Sequence, residues 1–152
     1  MPTFRYALVN AAYWAGFCLL LAFSSVFLLA RGLGNAQIGL VLAASGLASA
    51  ALQPLVAGRV DRSRVPTRVW VAGLASLIAL DGVALALVPA DPLRDALLFG
   101  GALCVLQVTT PLVNALGMDA ARAGVAVDFG TARAVGSFTF ALTSTAAGAL
   151  VG

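Results

Sequence analysis

The sequence predicts an all-α protein with five membrane-spanning helices, and three observations lead there. Of 152 residues, 61% are hydrophobic and only 10% charged, whereas a soluble domain carries roughly 25% charged residues. The mean hydropathy is +1.01. The charges, all arginine or aspartate, are clustered so that long uncharged stretches separate them. So apolar a chain is not disordered; it has no Gly-X-Y period, and its two cysteines are too few for a disulfide scaffold.

Each uncharged stretch accounts for one helix. Arg5 and Arg31 enclose 25 such residues, and Arg31 and Arg59 enclose 27. Val69 to Ala90 is 22 residues interrupted only by Asp81; Ala96 to Met118 adds 23, and Ala134 to Gly152 the last 19. A bilayer core of ~30 Å needs about 20 helical residues, so every stretch can hold one span. Only helices or closed barrels satisfy the backbone in lipid, and these runs lack the apolar–polar alternation of barrel strands. The spans are expected near 7–29, 37–58, 69–88, 96–117 and 131–151.

The arginines orient the spans. With the N-terminus in the cytoplasm, Arg5, Arg59, Arg62, Arg64, Arg68, Arg122 and Arg133 face inward, and only Arg31 and Arg94 face outward. That asymmetry follows the positive-inside rule, so the net charge of +3 reports topology in a cytoplasmic membrane and not nucleic-acid binding. The first span is too long for a signal-peptide core and more spans follow, so no cleavage is expected. Cys18 and Cys104 lie mid-span without a CxxC pattern, and the chain has no His; neither a metal site nor a cofactor is expected. The chain stays apolar to its last residue, and an odd number of spans ending at the outer surface suggests a truncated reading frame or an excised piece.

Without His or Glu, acid–base chemistry would rest on aspartate alone, and no enzymatic activity is expected. Asp119, Arg122, Gly124 and Asp128 fall short of the metal-binding phosphatidyltransferase pattern, which needs a further aspartate where Ala132 stands.

The residues with functional potential lie on the spans and their inner connections. Between the second and third spans, Asp61 follows a helix end and precedes Arg62, Arg64 and Arg68. Such a carboxylate can pair with an arginine or a helix N-terminus and latch two helix bundles; alternatively, the arginines only set topology. Gln37, Ser45, Ser49 and Gln53 form a polar stripe on the second span, which either lines a translocation path or holds helices together. Arg133, Gly136 and Phe140, spaced three and four apart, share one face of the fifth span. A guanidinium and an aromatic ring on one face can hold a polar, ring-shaped solute, although an arginine near a span end can also snorkel. Asn10, Tyr13 and Trp14 read as an interfacial anchor. Asp81 is a lone intramembrane carboxylate, either a proton relay or a partner for a neighbouring helix.

Two of these segments carry a resemblance. Gln53-Pro54-Leu55 followed by Gly58, Asp61, Arg62 and further arginines looks like the loop 2–3 signature of the major facilitator superfamily, with Ala57 and Arg64 at two of its glycine positions. Phe129-Gly130-Thr131-Ala132-Arg133-Ala134-Val135-Gly136-Ser137 is similar to the Phe/Tyr-Gly-Arg-x-Arg-x-x-Gly-Ser segment of the lactose-permease-like branch, the oligosaccharide and nucleoside proton symporters. In that branch the second arginine binds sugar hydroxyls and an aromatic seven residues on stacks against the sugar, which are the positions of Arg133 and Phe140. A glutamate three residues after a proline falls at Asn114, after Pro111; an amide can still hydrogen-bond a polyol. The resemblance implies an incomplete N-terminal six-helix half of a major facilitator fold. Its partners would be a small polar solute, possibly a coupling proton, the lipid bilayer and the missing C-terminal half. It also implies a latch at Gly58, Asp61 and Arg62, and no transport by this piece alone, because alternating access needs two bundles. The competing expectation is a small multi-pass membrane scaffold that binds a partner through its Ala/Gly-rich helix faces.

Overall fold

Six α-helices and one π-helical turn make up the secondary structure of residues 2–151, the part described in the computed structural model; no strand occurs among them. The helices are α1 (Pro2–Phe17), α2 (Ser24–Ala30), α3 (Asn35–Arg62), α4 (Thr67–Leu87), α5 (Pro92–Arg122) and α6 (Phe129–Val151), with the π turn at Cys18–Ala22. The expected first span, 7–29, therefore falls on three elements, α1, the π turn and α2, and the segment apolar and long enough to cross a bilayer ends at Ala22. An unbroken apolar run fixes how long a segment stays in lipid, but it does not distinguish i→i−4 from i→i−5 bonding.

Among the described residues, four helical segments are long and apolar enough to cross a bilayer: Thr3–Ala22, Asn35–Arg62, Thr67–Leu87 and Pro92–Arg122. Five were expected. The difference is α6, which is 23 residues long but carries Arg133 and the hydroxyls of Thr131, Ser137, Thr139, Thr143, Ser144 and Thr145. Large apolar side chains cover the outside of the helices: Leu47 is 75% exposed, Leu80 66%, Leu97 69% and, on α6, Phe138 70%. Apolar exposure on that scale, repeated along α3, α4 and α5, suits a surface solvated by lipid. These features fit a multi-pass membrane protein.

Local chemistry marks several of the helix ends. At Gly32 (φ +89°) and Gly124 (φ +75°) the chain enters the left-handed region. There Leu33 N–H reaches the Leu28 carbonyl and Gly32 N–H the Leu29 carbonyl, while Val125 and Gly124 bond to Ala120 and Ala121 in the same way. Both are Schellman terminations. The Gly34 N–H donates to Gln37 Oε1 at 2.8 Å and so starts α3. Asp91 accepts the Arg94 N–H at 2.8 Å, and Pro92 follows at the first helical position, where its missing N–H has no consequence. Asp128 accepts the Thr131 N–H at 3.0 Å and the Thr131 hydroxyl at 2.6 Å, starting α6.

The chain divides into two compact units. The first holds the residues up to Ala22 and from Val113 onward, so α1 pairs with α6 and the end of α5; the second holds Phe23–Leu112, with α2, α3, α4 and most of α5.

Candidate functional site

In the first unit, the α1–α6 pair holds Arg133. Its guanidinium lies over the Trp14 ring, 4.2 Å from the centroid. Trp14 itself packs against Phe17 at 5.1 Å and Tyr13 at 5.6 Å. Gly136, one turn beyond Arg133, makes room for the indole: a Cβ there would stand 2.5 Å from Trp14 Cδ1. Deeper between the helices, Asn10 is buried and donates to the Tyr6 carbonyl at 3.1 Å. Trp14 thus holds the arginine as well as standing where an interfacial anchor was expected. Among the described residues no carboxylate forms an ion pair with Arg133. Phe140 is half-buried on the same helix, and Asn114 is exposed on α5; neither makes a polar or ring contact with Arg133.

In the second unit, the polar stripe of α3 turns toward α5. The Ser45 hydroxyl lies 2.7 Å from the Val41 carbonyl and 3.0 Å from that of Gly100, between which its single proton is shared. Gly100 leaves little space for a side chain, since a Cβ would meet Ser45 Oγ at 3.1 Å and Val41 Cγ1 at 3.3 Å. The Ser49 hydroxyl sits 2.8 Å from the Gly46 carbonyl and 3.2 Å from Gln107 Oε1. Gln53 Nε2 donates to the Gln107 carbonyl at 3.3 Å. Ser45 and Ser49 are buried, so these groups bind helix to helix. Gln107 went unrecognised as their partner, although it is one of only two amides, with Asn114, in an uncharged stretch.

The residues expected to form a latch are at the C-terminal end of α3. Helix α3 runs through Arg62, which puts Asp61 in its last turn and not in a loop. The helix continues because only Ser63–Pro66 are needed to reverse the chain. Asp61 is exposed, without an ion pair among the described residues. Gly58 and Arg62 line a concavity of about 490 Å³ together with Pro54, Leu55, Arg59 and Ser63. Beside it, Trp70 Nε1 donates to the Ser63 hydroxyl at 3.1 Å. Asp81 is half-buried in α4.

The most heavily bonded polar cluster was expected only to mark the outer surface. Asp95 is fully buried and accepts from Arg31 Nη1 at 3.4 Å, Arg94 Nη2 at 3.2 Å and the Asp91 N–H at 3.3 Å. Arg31 also donates to the carbonyls of Val88, at 3.3 Å, and Leu85, which close the C-terminus of α4. Its guanidinium lies 5.2 Å from the Phe27 centroid, and Phe27 stacks on Phe99 at 5.5 Å. One arginine therefore joins the α2–α3 turn, the end of α4 and the start of α5.

Among the described residues no group of three or more His, Cys, Asp or Glu side chains can hold a metal ion. No protein-family model, no curated protein and no solved structure matches the chain.

Proposed function

We propose that the chain is part of a secondary active transporter of the major facilitator type, in the cytoplasmic membrane with its N-terminus inside. In this reading α6 is the fifth span, Arg133 and Phe140 contact a small sugar- or nucleoside-like solute with Asn114 contributing an amide, and Asp61, Arg62 and Gly58 act as the inner latch. The observation that supports it best is Arg133: an exposed guanidinium on a helix, held against an aromatic face, in the segment that resembles a sugar-contacting one. Ionisable groups on membrane helices usually face a cavity or a partner, and a guanidinium fork suits vicinal hydroxyls.

The test is uptake of labelled lactose and uridine by cells expressing the complete reading frame that contains this chain. Accumulation is expected, and Arg133→Lys should lower solute affinity about ten- to a hundredfold, from the ~1.5–3 kcal/mol that one charged hydrogen-bonding group contributes. A second reading, a multi-pass scaffold, is favoured by the use of Ser45, Ser49 and Gln53 in helix contacts. No uptake of either solute by protein that reaches the membrane would select the scaffold.

A further inference from the structure

We infer that Trp14 is the positioning residue of Arg133: its indole face holds the guanidinium of α6 in place for the solute. The inference rests on the solute-binding reading of Arg133. Three observations carry it. The guanidinium is 4.2 Å from the ring centroid, well inside cation–π range. The indole is packed in place by Phe17 and Tyr13, and Gly136 offers it a surface that any Cβ would block. No carboxylate among the described residues pairs with Arg133, so the negative face of the ring is what remains to balance the charge.

The chemistry differs from that of an ion pair. A carboxylate would occupy the N–H donors that a solute needs, whereas an aromatic face leaves them free at the edge of the planar group. Trp14 therefore orients the arginine without competing for its hydrogen bonds. Ligands expected to benefit are neutral polyols and ribosides, whose hydroxyls accept from the guanidinium edge.

The decisive experiment replaces Trp14 by tryptophans carrying one, two and four fluorines, on a Trp70→Phe background. Fluorine drains the ring quadrupole while nearly preserving its shape, so packing against Gly136 is retained. Two readouts are followed: modification of Arg133 by phenylglyoxal without solute, and binding of lactose and uridine to the complete transporter. Modification should speed up stepwise with fluorination. Affinity should fall in parallel, by about two- to thirtyfold across the series, the range that cation–π energies imply. Modification unchanged across the series overturns the positioning role, whatever the solutes do. Modification that speeds up when neither solute binds even the unfluorinated protein supports the positioning role and overturns the solute reading.

Discussion

Glycines 117 and 136 decide how closely the helices of the first unit approach. A Cβ on Gly136 would stand 2.5 Å from Trp14 Cδ1, and one on Gly117 would stand 2.6 Å from Phe129 Cε1 and 2.7 Å from Tyr6 Cζ. These are ring atoms of packed side chains; Tyr6 and Phe129 meet edge to face at 5.8 Å. Gly117→Ala and Gly136→Ala should each cost about 1–3 kcal/mol, as overpacking does. Gly73→Ala, where a Cβ meets nothing within 4 Å, should instead stabilise α4 by roughly 0.5–1 kcal/mol, the helical cost of glycine. Thermal unfolding in detergent micelles separates the three. Asp128 gives a pH-dependent case. Hydrogen bonds from the Thr131 hydroxyl and N–H hold its carboxyl below the usual aspartate range. A depressed folded pKa means that the start of α6 is fully supported above the ordinary carboxylate value and loses that support as pH falls through the lowered one. Hydrogen exchange at the Thr131 amide should accelerate over that acidic window, relative to its intrinsic rate, and Asp128→Asn should remove the pH dependence.

At the scale of elements, the Arg31–Asp95 cluster ties three helix ends together. Asp95 is buried, with a side chain 1% exposed against 18% for Arg31. Removing one partner of a buried pair leaves the other uncompensated, which costs ~3–5 kcal/mol. Asp95→Ala should lose part of that in a denaturant titration, because Arg31 keeps the Val88 and Leu85 carbonyls and Arg94 reaches solvent. Asp95→Asn, which keeps an acceptor for one arginine, should lose less. Equal losses in the two variants would show that charge, and not the hydrogen bonds, holds the ends. The α3–α5 contact has a different logic. Ser45, Ser49, Gln53 and Gln107 satisfy each other's polar atoms and nearby carbonyls, while Gly100 permits the approach. Small residues and hydroxyls are the usual means of joining helices where lipid removes the hydrophobic drive.

For the whole molecule, orientation in the bilayer is the open expectation with the simplest measurement. On a background lacking Cys18 and Cys104, Ser63→Cys should resist an impermeant thiol reagent in whole cells, and Asp91→Cys should react; the reverse pattern inverts the topology. Much of the helical plan was legible beforehand. The expected 69–88 and 131–151 became Thr67–Leu87 and Phe129–Val151, and 37–58 became Asn35–Arg62. Helix existence in such a chain depends on local quantities, namely stretches of apolar residues long enough to cross lipid and interrupted by clustered charge. The glycine and aspartate punctuation at Gly32, Asp91, Gly124 and Asp128 is local too, since each cap acts within a few residues. What the tertiary structure alone decided are the pairings between residues far apart in sequence: Arg133 with Trp14, Arg31 with Asp95 and Leu85, and Ser49 with Gln107. The polar stripe of α3 marks a contact face without naming its partner, and the more uniformly apolar surfaces of the other helices have no stripe to reveal which face meets which neighbour. The choice of partner is then made by steric fit at glycines and by the few polar groups that must be satisfied, and both depend on where separate helices come together.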